Sequence, residues 1–121
     1  MVKKILVIDD VKSELDLISH YLEEAGYKVT ASQNGLEALE KVKEECPDAI
    51  VTDLVMPDIT GLELCRKLKK NPDTADIPIV ACTTKSRKMD QSWAKKQGVA
   101  GYVVKPCTAE QLVEAVRFAT L

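Results

Sequence analysis

The sequence predicts an α/β protein: a doubly wound, five-stranded parallel sheet with helices on both faces, spanning residues 1–121 as one domain. Three observations carry that expectation. Five short apolar runs each lead into a segment with apolar residues at helical spacing. The runs are continuously apolar, as strands covered on both faces are. No linker, internal repeat or low-complexity segment interrupts the alternation. Strand and helix in strict alternation imply parallel strands joined by right-handed crossovers.

The first unit is Ile5 to Ile8, ending in Asp9 and Asp10, followed by Leu15, Ile18, Leu22 and Ala25 as a helical stripe, with Gly26 as its terminator. Lys28 to Ala31 resume a strand. Asn34-Gly-Leu-Glu37 reads as a capping box before a helix carrying Ala38, Leu39 and Val42, which Pro47 closes. Ala49 to Thr52 form the third strand and stop at Asp53. A loop with Pro57 and Gly61, expected to act through the backbone, then leads to a helix with Leu64, Cys65 and Leu68. Pro78 to Thr83 give the fourth strand, and a polar helix through Trp93 and Ala94 ends near Gly98. Gly101 to Val104 are the fifth strand. After Lys105-Pro106, Thr108-Ala-Glu-Gln111 caps a last helix that turns Leu112, Val116 and Ala119 inward.

A chain of 121 residues can bury a genuine core. Its 17 basic and 19 acidic residues give a formal charge of -2, without a long block of either sign, so nucleic acid is not expected as a partner. No apolar run approaches the roughly 18 to 20 residues that span a bilayer, and Met1 leads through two lysines straight into a strand. No membrane contact and a cytoplasmic location are expected. Cys46, Cys65, Cys82 and Cys107 are scattered, with His20 the only imidazole, and are read as small buried hydrophobes.

In an open doubly wound sheet, ligands bind beyond the carboxyl ends of the strands where the strand order reverses. The flavodoxin-like order 2-1-3-4-5 is borrowed from known folds of five such units, and it puts the first and third strands at that point. Asp9 and Asp10 end the first strand, Asp53 the third, Thr83 and Thr84 the fourth, and Lys105 the fifth. Two carboxylates about 4 Å apart repel by roughly 4 kcal/mol at an effective dielectric near 20, so three together call for a cation. Few hard oxygen ligands beside a phosphate site suit Mg2+. Asp53 can then act as a nucleophile toward phosphorus, with Lys105 pairing one phosphoryl oxygen and Thr83 donating to another.

Singly, each residue has a plainer reading: Asp10 as a helix cap, Asp53 as a turn former, Lys105 as a surface lysine, Thr83 as a branched strand residue. Tyr102 reads equally well as a half-buried strand aromatic, and Trp93 as a packing residue on a helix face. The conjunction of acids, hydroxyl and lysine at the ends of strands one, three, four and five is what these readings leave unexplained.

Over its whole length the chain resembles the response-regulator receiver family, through ILVIDD, VTDLVMPDITG, PIVACTT and YVVKP. The resemblance implies that Asp53 is phosphorylated by a histidine kinase or a histidine phosphotransfer domain, and that Mg2+ is held by Asp10, Asp53, the backbone carbonyl of Val55 and, through water, Asp9. It implies self-dephosphorylation, and a switch in which Thr83 and Tyr102 remodel the surface of the fourth helix, fifth strand and fifth helix for a downstream effector. A monomer or a phosphorylation-dependent dimer would fit. With nothing after Leu121, output by protein contact is expected; a relay intermediate or phosphate sink is the alternative.

Three departures stand out. Cys107 replaces a common phenylalanine, Thr84 replaces a small residue, and Val55 with Lys85 occupy positions thought to tune dephosphorylation, so slow self-hydrolysis is expected. Thr83-Thr-Lys85, Trp93 and Gln97-Gly98 further resemble regulators of type IV pilus twitching and phototaxis.

Other functions fit less well. A haloacid-dehalogenase-like phosphatase needs a second acid two residues after its aspartate, where Val55 stands. A flavin carrier would have its phosphate repelled by three acids. The five glycines match neither GxGxxG nor a P-loop. A pseudo-receiver that is never phosphorylated is opposed by the intact acidic set.

Overall fold

The structure, a computed structural model, describes residues 2–121. The elements alternate without exception: β1 (Lys4–Ile8), α1 (Lys12–Glu24), β2 (Lys28–Ser32), α2 (Gly35–Glu45), β3 (Ala49–Thr52), α3 (Gly61–Lys70), β4 (Ile79–Thr83), α4 (Lys88–Lys96), β5 (Gly101–Val104) and α5 (Ala109–Ala119). All neighbouring strands are parallel, in the order β2-β1-β3-β4-β5, as expected. No helix among the described residues is long and apolar enough to cross a membrane.

Successive strand residues point to opposite faces, and this divides the core into layers. Ile5 and Val7 of β1 pack with Leu15, Ile18 and Leu22 of α1 and with Leu112 and Val116 of α5. Leu6 and Ile8 pack instead with Ala38 and Val42 of α2 and with Leu64, Cys65 and Leu68 of α3. Burying each large aliphatic side chain contributes about 1.5–3 kcal/mol, so the central strands, covered on both sides, hold the sheet together. The small third cluster under α4 consists of Leu54, Ala81 and Ala94, with Leu62, Val99 and Tyr102 against it.

Helix ends follow local chemistry, with corrections. Thr108 and Gln111 form the expected reciprocal capping box of α5. At α2 only half of the box forms. Asn34 accepts from the Glu37 N–H at 2.8 Å, but the Glu37 carboxylate pairs with Lys41 at 3.0 Å. The next two N–H groups, of Gly35 and Leu36, donate to Asp58 at 3.2 and 2.9 Å, tying the loop after β3 to the start of α2. Ala25 is not part of the buried stripe of α1; it is the exposed C-cap, just before Gly26 at φ +96°. Cys65 and Cys82 are buried and Cys107 half-buried, but Cys46 is exposed, because the chain turns left-handed there (φ 47°) before Pro47.

Trp93 also departs from expectation. It is 51% exposed, because α4 meets the sheet along the line of Ala94 and the neighbouring Trp93 projects outward. The Lys105–Pro106 peptide is cis.

Candidate functional site

Sheet register brings the acids together. Ile8 pairs with Thr52, so Asp9 and Asp53 are the next residues on adjacent strands, and the Asp53 N–H donates to the Ile8 carbonyl at 3.1 Å. Thr83 pairs with Val104 on the far side, and the Lys105 N–H donates to the Thr83 carbonyl at 2.8 Å. Four strand ends thus converge on one edge.

The Lys105 ammonium donates to Asp9 Oδ2 at 2.6 Å and to Asp53 Oδ2 at 3.2 Å. Asp9 is fully buried, and the Lys105 and Asp53 side chains are 8% and 14% exposed. Asp9 Oδ1 accepts the Val11 N–H at 3.0 Å. Asp53 Oδ1 accepts from Leu54 and Val55 at 2.6 and 3.2 Å, so the loop after β3 folds around its own first carboxylate. Asp10 does not cap α1: the N-cap is Val11, with no side-chain cap bond. Its carboxylate remains on the cluster.

Each of Asp9, Asp10 and Asp53 offers an oxygen within 4.8 Å of the others, the one such acidic cluster among the described residues. One ammonium opposes three carboxylates, leaving two formal negative charges, and the donors are all hard oxygens. That set fits a divalent Mg2+-type ion. Burial pushes the Asp9 carboxyl above its ordinary range, although the Lys105 and Val11 hydrogen bonds pull the other way. Burial alone would lower Lys105, but the Asp9 hydrogen bond and the charges of Asp53 and Asp9 outweigh it and raise the ammonium. The pair therefore holds its proton on the lysine, while Asp9 bears the cost of desolvation.

Thr83 is fully buried, and its Oγ1 accepts the Lys85 N–H at 3.3 Å, leaving the hydroxyl proton free to be donated. Tyr102, half-buried, donates its hydroxyl to the Lys85 carbonyl at 2.7 Å. The two residues therefore meet at the backbone of Lys85. Thr84 is exposed, and Val55 is exposed in the loop beside Asp53.

One contributor escaped sequence reasoning, and one expected backbone role takes a specific form. Glu14, in the first turn of α1, lies 3.8 Å from the Lys105 ammonium and adds a fourth carboxylate; its only signal was an acid one turn into the helix that follows Asp9-Asp10. Gly61 was expected to shape the loop, but its constraint is a close approach. A Cβ there would lie 2.3 Å from the Asp53 carbonyl oxygen and 2.7 Å from Leu54 Cα, so α3 can abut the Asp53 backbone only with glycine.

An acidic strand-end cluster bridged by lysine, on a sheet of this order, defines a receiver-type signalling module. The chain belongs to the response regulator receiver domain family, whose model matches residues 5–117. It is 34% identical over 113 residues to Protein PilH of Pseudomonas aeruginosa, covering 93% of both chains. It is 30% identical over 117 residues to the polar-differentiation response regulator DivK of Brucella anthropi, covering 97% of this chain and 95% of that one. Among solved structures, the chemotaxis protein CheY4 of Vibrio cholerae superposes with a TM-score of 0.92 at 31% identity, covering 98% of this chain and 99% of that one. A putative response regulator from Chloroflexus aurantiacus superposes at 0.95 with 28% identity, covering 99% and 98%.

Proposed function

We propose that Asp53 accepts a phosphoryl group from a phosphohistidine of a histidine kinase or histidine phosphotransfer domain, and that the modified chain signals by protein contact. The observation that carries this reading is the Lys105 ammonium bridging Asp9 and Asp53 within a cluster of three acids. Asp10, Asp53, the Val55 carbonyl and, through water, Asp9 would hold Mg2+, which supplies charge neutralisation for an incoming phosphoryl group.

A carboxylate oxygen of Asp53 attacks phosphorus; the O–P bond forms as the donor's N–P bond breaks, and the leaving imidazole takes a proton from solvent. The Leu54 and Val55 N–H groups hold the Asp53 carboxylate in place. Lys105 exchanges its contact with Asp53 for one with a phosphoryl oxygen, and the Thr83 hydroxyl donates to another. Hydrolysis of the same bond by water returns Asp53.

Phosphorylation adds about -1.5 to -2 charges beside Thr83. Because Thr83 and Tyr102 share Lys85 as partner, movement of the threonine is transmitted to the aromatic and so to the surface of α4, β5 and α5.

The test is exposure to acetyl phosphate with and without Mg2+, followed by intact mass. The expected result is one phosphate-sized gain that requires Mg2+ and is lost in Asp53→Asn. A gain that persists in Asp53→Asn refutes the assignment.

A further inference from the structure

A groove of about 610 Å³ opens beside the acidic cluster, between the loop after β3 with the start of α3 on one side and α4 on the other. Leu54, Val55, Met56, Leu62, Met89 and Trp93 line it. Met89 is 65% and Val55 53% exposed, and with half-exposed Trp93 they give this edge three large apolar side chains in water. Met89 and Trp93 stand four residues apart on α4, so they form one ridge of the kind an incoming helix packs against.

Charge identifies what would lie there. Of the chain's 17 basic and 19 acidic residues, residues 60–100 hold nine basic and four acidic ones. This part of the molecule is strongly positive, and the remainder is strongly negative. Lys85 on the groove's lining is exposed, Lys88 precedes Met89 on α4, and Lys67 and Lys70 line an adjoining pocket that shares Thr60 and Leu62 with the groove; none of the four forms an ion pair among the described residues, whereas Asp90 on the lining is already paired with Arg87 at 3.1 Å. An apolar floor with an unpaired cationic rim suits a ligand that is apolar on one side and acidic on the other.

A second copy of this chain fits poorly. A two-fold dimer would set these cations against themselves, and a head-to-tail contact with the acidic face would build a ring or a filament instead of a simple pair. A concave groove also suits an inserted segment better than a flat lipid surface.

The groove is wired to Asp53. Its lining residues Leu54 and Val55 donate their N–H groups to Asp53 Oδ1, and Lys85, also on the lining, binds Thr83 through its N–H and Tyr102 through its carbonyl. The α4 wall is lightly anchored, with Ala94 its buried residue among those described.

We infer that the groove between the loop after β3 and α4 is the docking site for an acidic amphipathic helix of a partner protein, and that modification of Asp53 sets its affinity. The regulatory half rests on the function proposed above.

The test uses two synthetic peptides of about 18 residues, five helical turns, with identical apolar spacing and either glutamate or lysine on the polar face. Each is titrated into the full chain, before and after acetyl phosphate with Mg2+, and followed by the emission of Trp93, the single tryptophan. The acidic peptide is expected to bind at least about tenfold tighter than the basic one and to shift the emission to the blue. Met89→Glu and Lys88→Glu, both on exposed positions, should weaken it by a similar factor while phosphate uptake by intact mass is unchanged.

Equal binding of the two peptides, or retained binding in Met89→Glu, overturns the inference. So does shielding of Trp93 by a concentration-dependent dimer or by phosphatidylglycerol vesicles in place of the peptide. If Asp53 takes up no phosphate but the acidic peptide still binds selectively, the groove stands and the proposed function falls. If phosphate is taken up and peptide affinity does not change, the regulatory half fails alone.

Discussion

Replacing Lys105 by methionine removes the ammonium while nearly keeping the volume, and it should make the protein's stability depend on divalent cations. At an effective dielectric near 20, the 2.6 Å contact with Asp9 and the 3.2 Å contact with Asp53 correspond to about 6 and 5 kcal/mol of gross attraction. The three acids, within 4.8 Å of one another, repel by at least about 3.5 kcal/mol per pair on the same scale. The net cost is smaller, because methionine no longer has to be desolvated as a charge. Breaking a buried pair by removing one partner costs about 3–5 kcal/mol, and that range is the expected loss for Lys105→Met at neutral pH without Mg2+.

Acid should relieve part of this loss. The Asp9 carboxyl already lies above its ordinary range through burial, so the stability tied to its protonation is present at low pH and is lost as pH rises through its folded value. Without the lysine that value moves higher still, and lowering the pH to about 5 should narrow the gap from wild type. Mg2+ should narrow it at neutral pH by replacing the missing positive charge. Urea unfolding followed by far-UV circular dichroism, with and without Mg2+ at the two pH values, gives both differences. A variant as stable as wild type at neutral pH without Mg2+ would refute the claim that Lys105 compensates the cluster.

Three other perturbations test separate parts of the structure. Exposed, apolar Val55 cannot orient an attacking water, so Val55→Asn should shorten the phosphorylated lifetime measured by intact mass after donor removal; an unchanged or longer lifetime counts against slow self-hydrolysis. Gly61→Ala places a methyl 2.3 Å from the Asp53 carbonyl oxygen and should lose about 1–3 kcal/mol by denaturant unfolding, along with phosphate uptake, as the loop is displaced. Asp58→Ala strips two N–H partners from α2 and should cost about 1 kcal/mol. Although its slight burial acts the other way, the backbone N–H bonds hold the Asp58 carboxyl below its ordinary range. The wild-type advantage should therefore be full above pH 3.8 and fade as pH falls through the lower folded value, which urea midpoints across pH would show.

Periodicity and strand-end chemistry made the architecture legible in the sequence. Apolar runs such as Ile5 to Ile8 and Ala49 to Thr52 alternate with helical stripes, and both signals are local, surviving without knowledge of any partner. The strand order came by analogy, and pairing alone establishes it, because nothing in Ile8 or Thr52 says that they lie side by side. The Thr108–Gln111 box was readable because both halves lie within one turn. The Asn34 box was not, since Glu37 had a competing partner in Lys41, and the tie from the Gly35 and Leu36 N–H groups to Asp58 was equally hidden, spanning 22 or more residues.

Sequence by itself determined which residues stand at the strand ends: Asp9, Asp10, Asp53, Thr83 and Lys105, each marking where an apolar run stops. Tertiary structure alone decided that Lys105 crosses 96 positions of chain to meet Asp9, that Thr83 and Tyr102 converge on one backbone unit, and that Trp93 faces water. The physical reason is range. Burial pattern and turn chemistry act over a few residues, whereas electrostatic pairing and groove formation depend on distances that exist only once the sheet has closed its register.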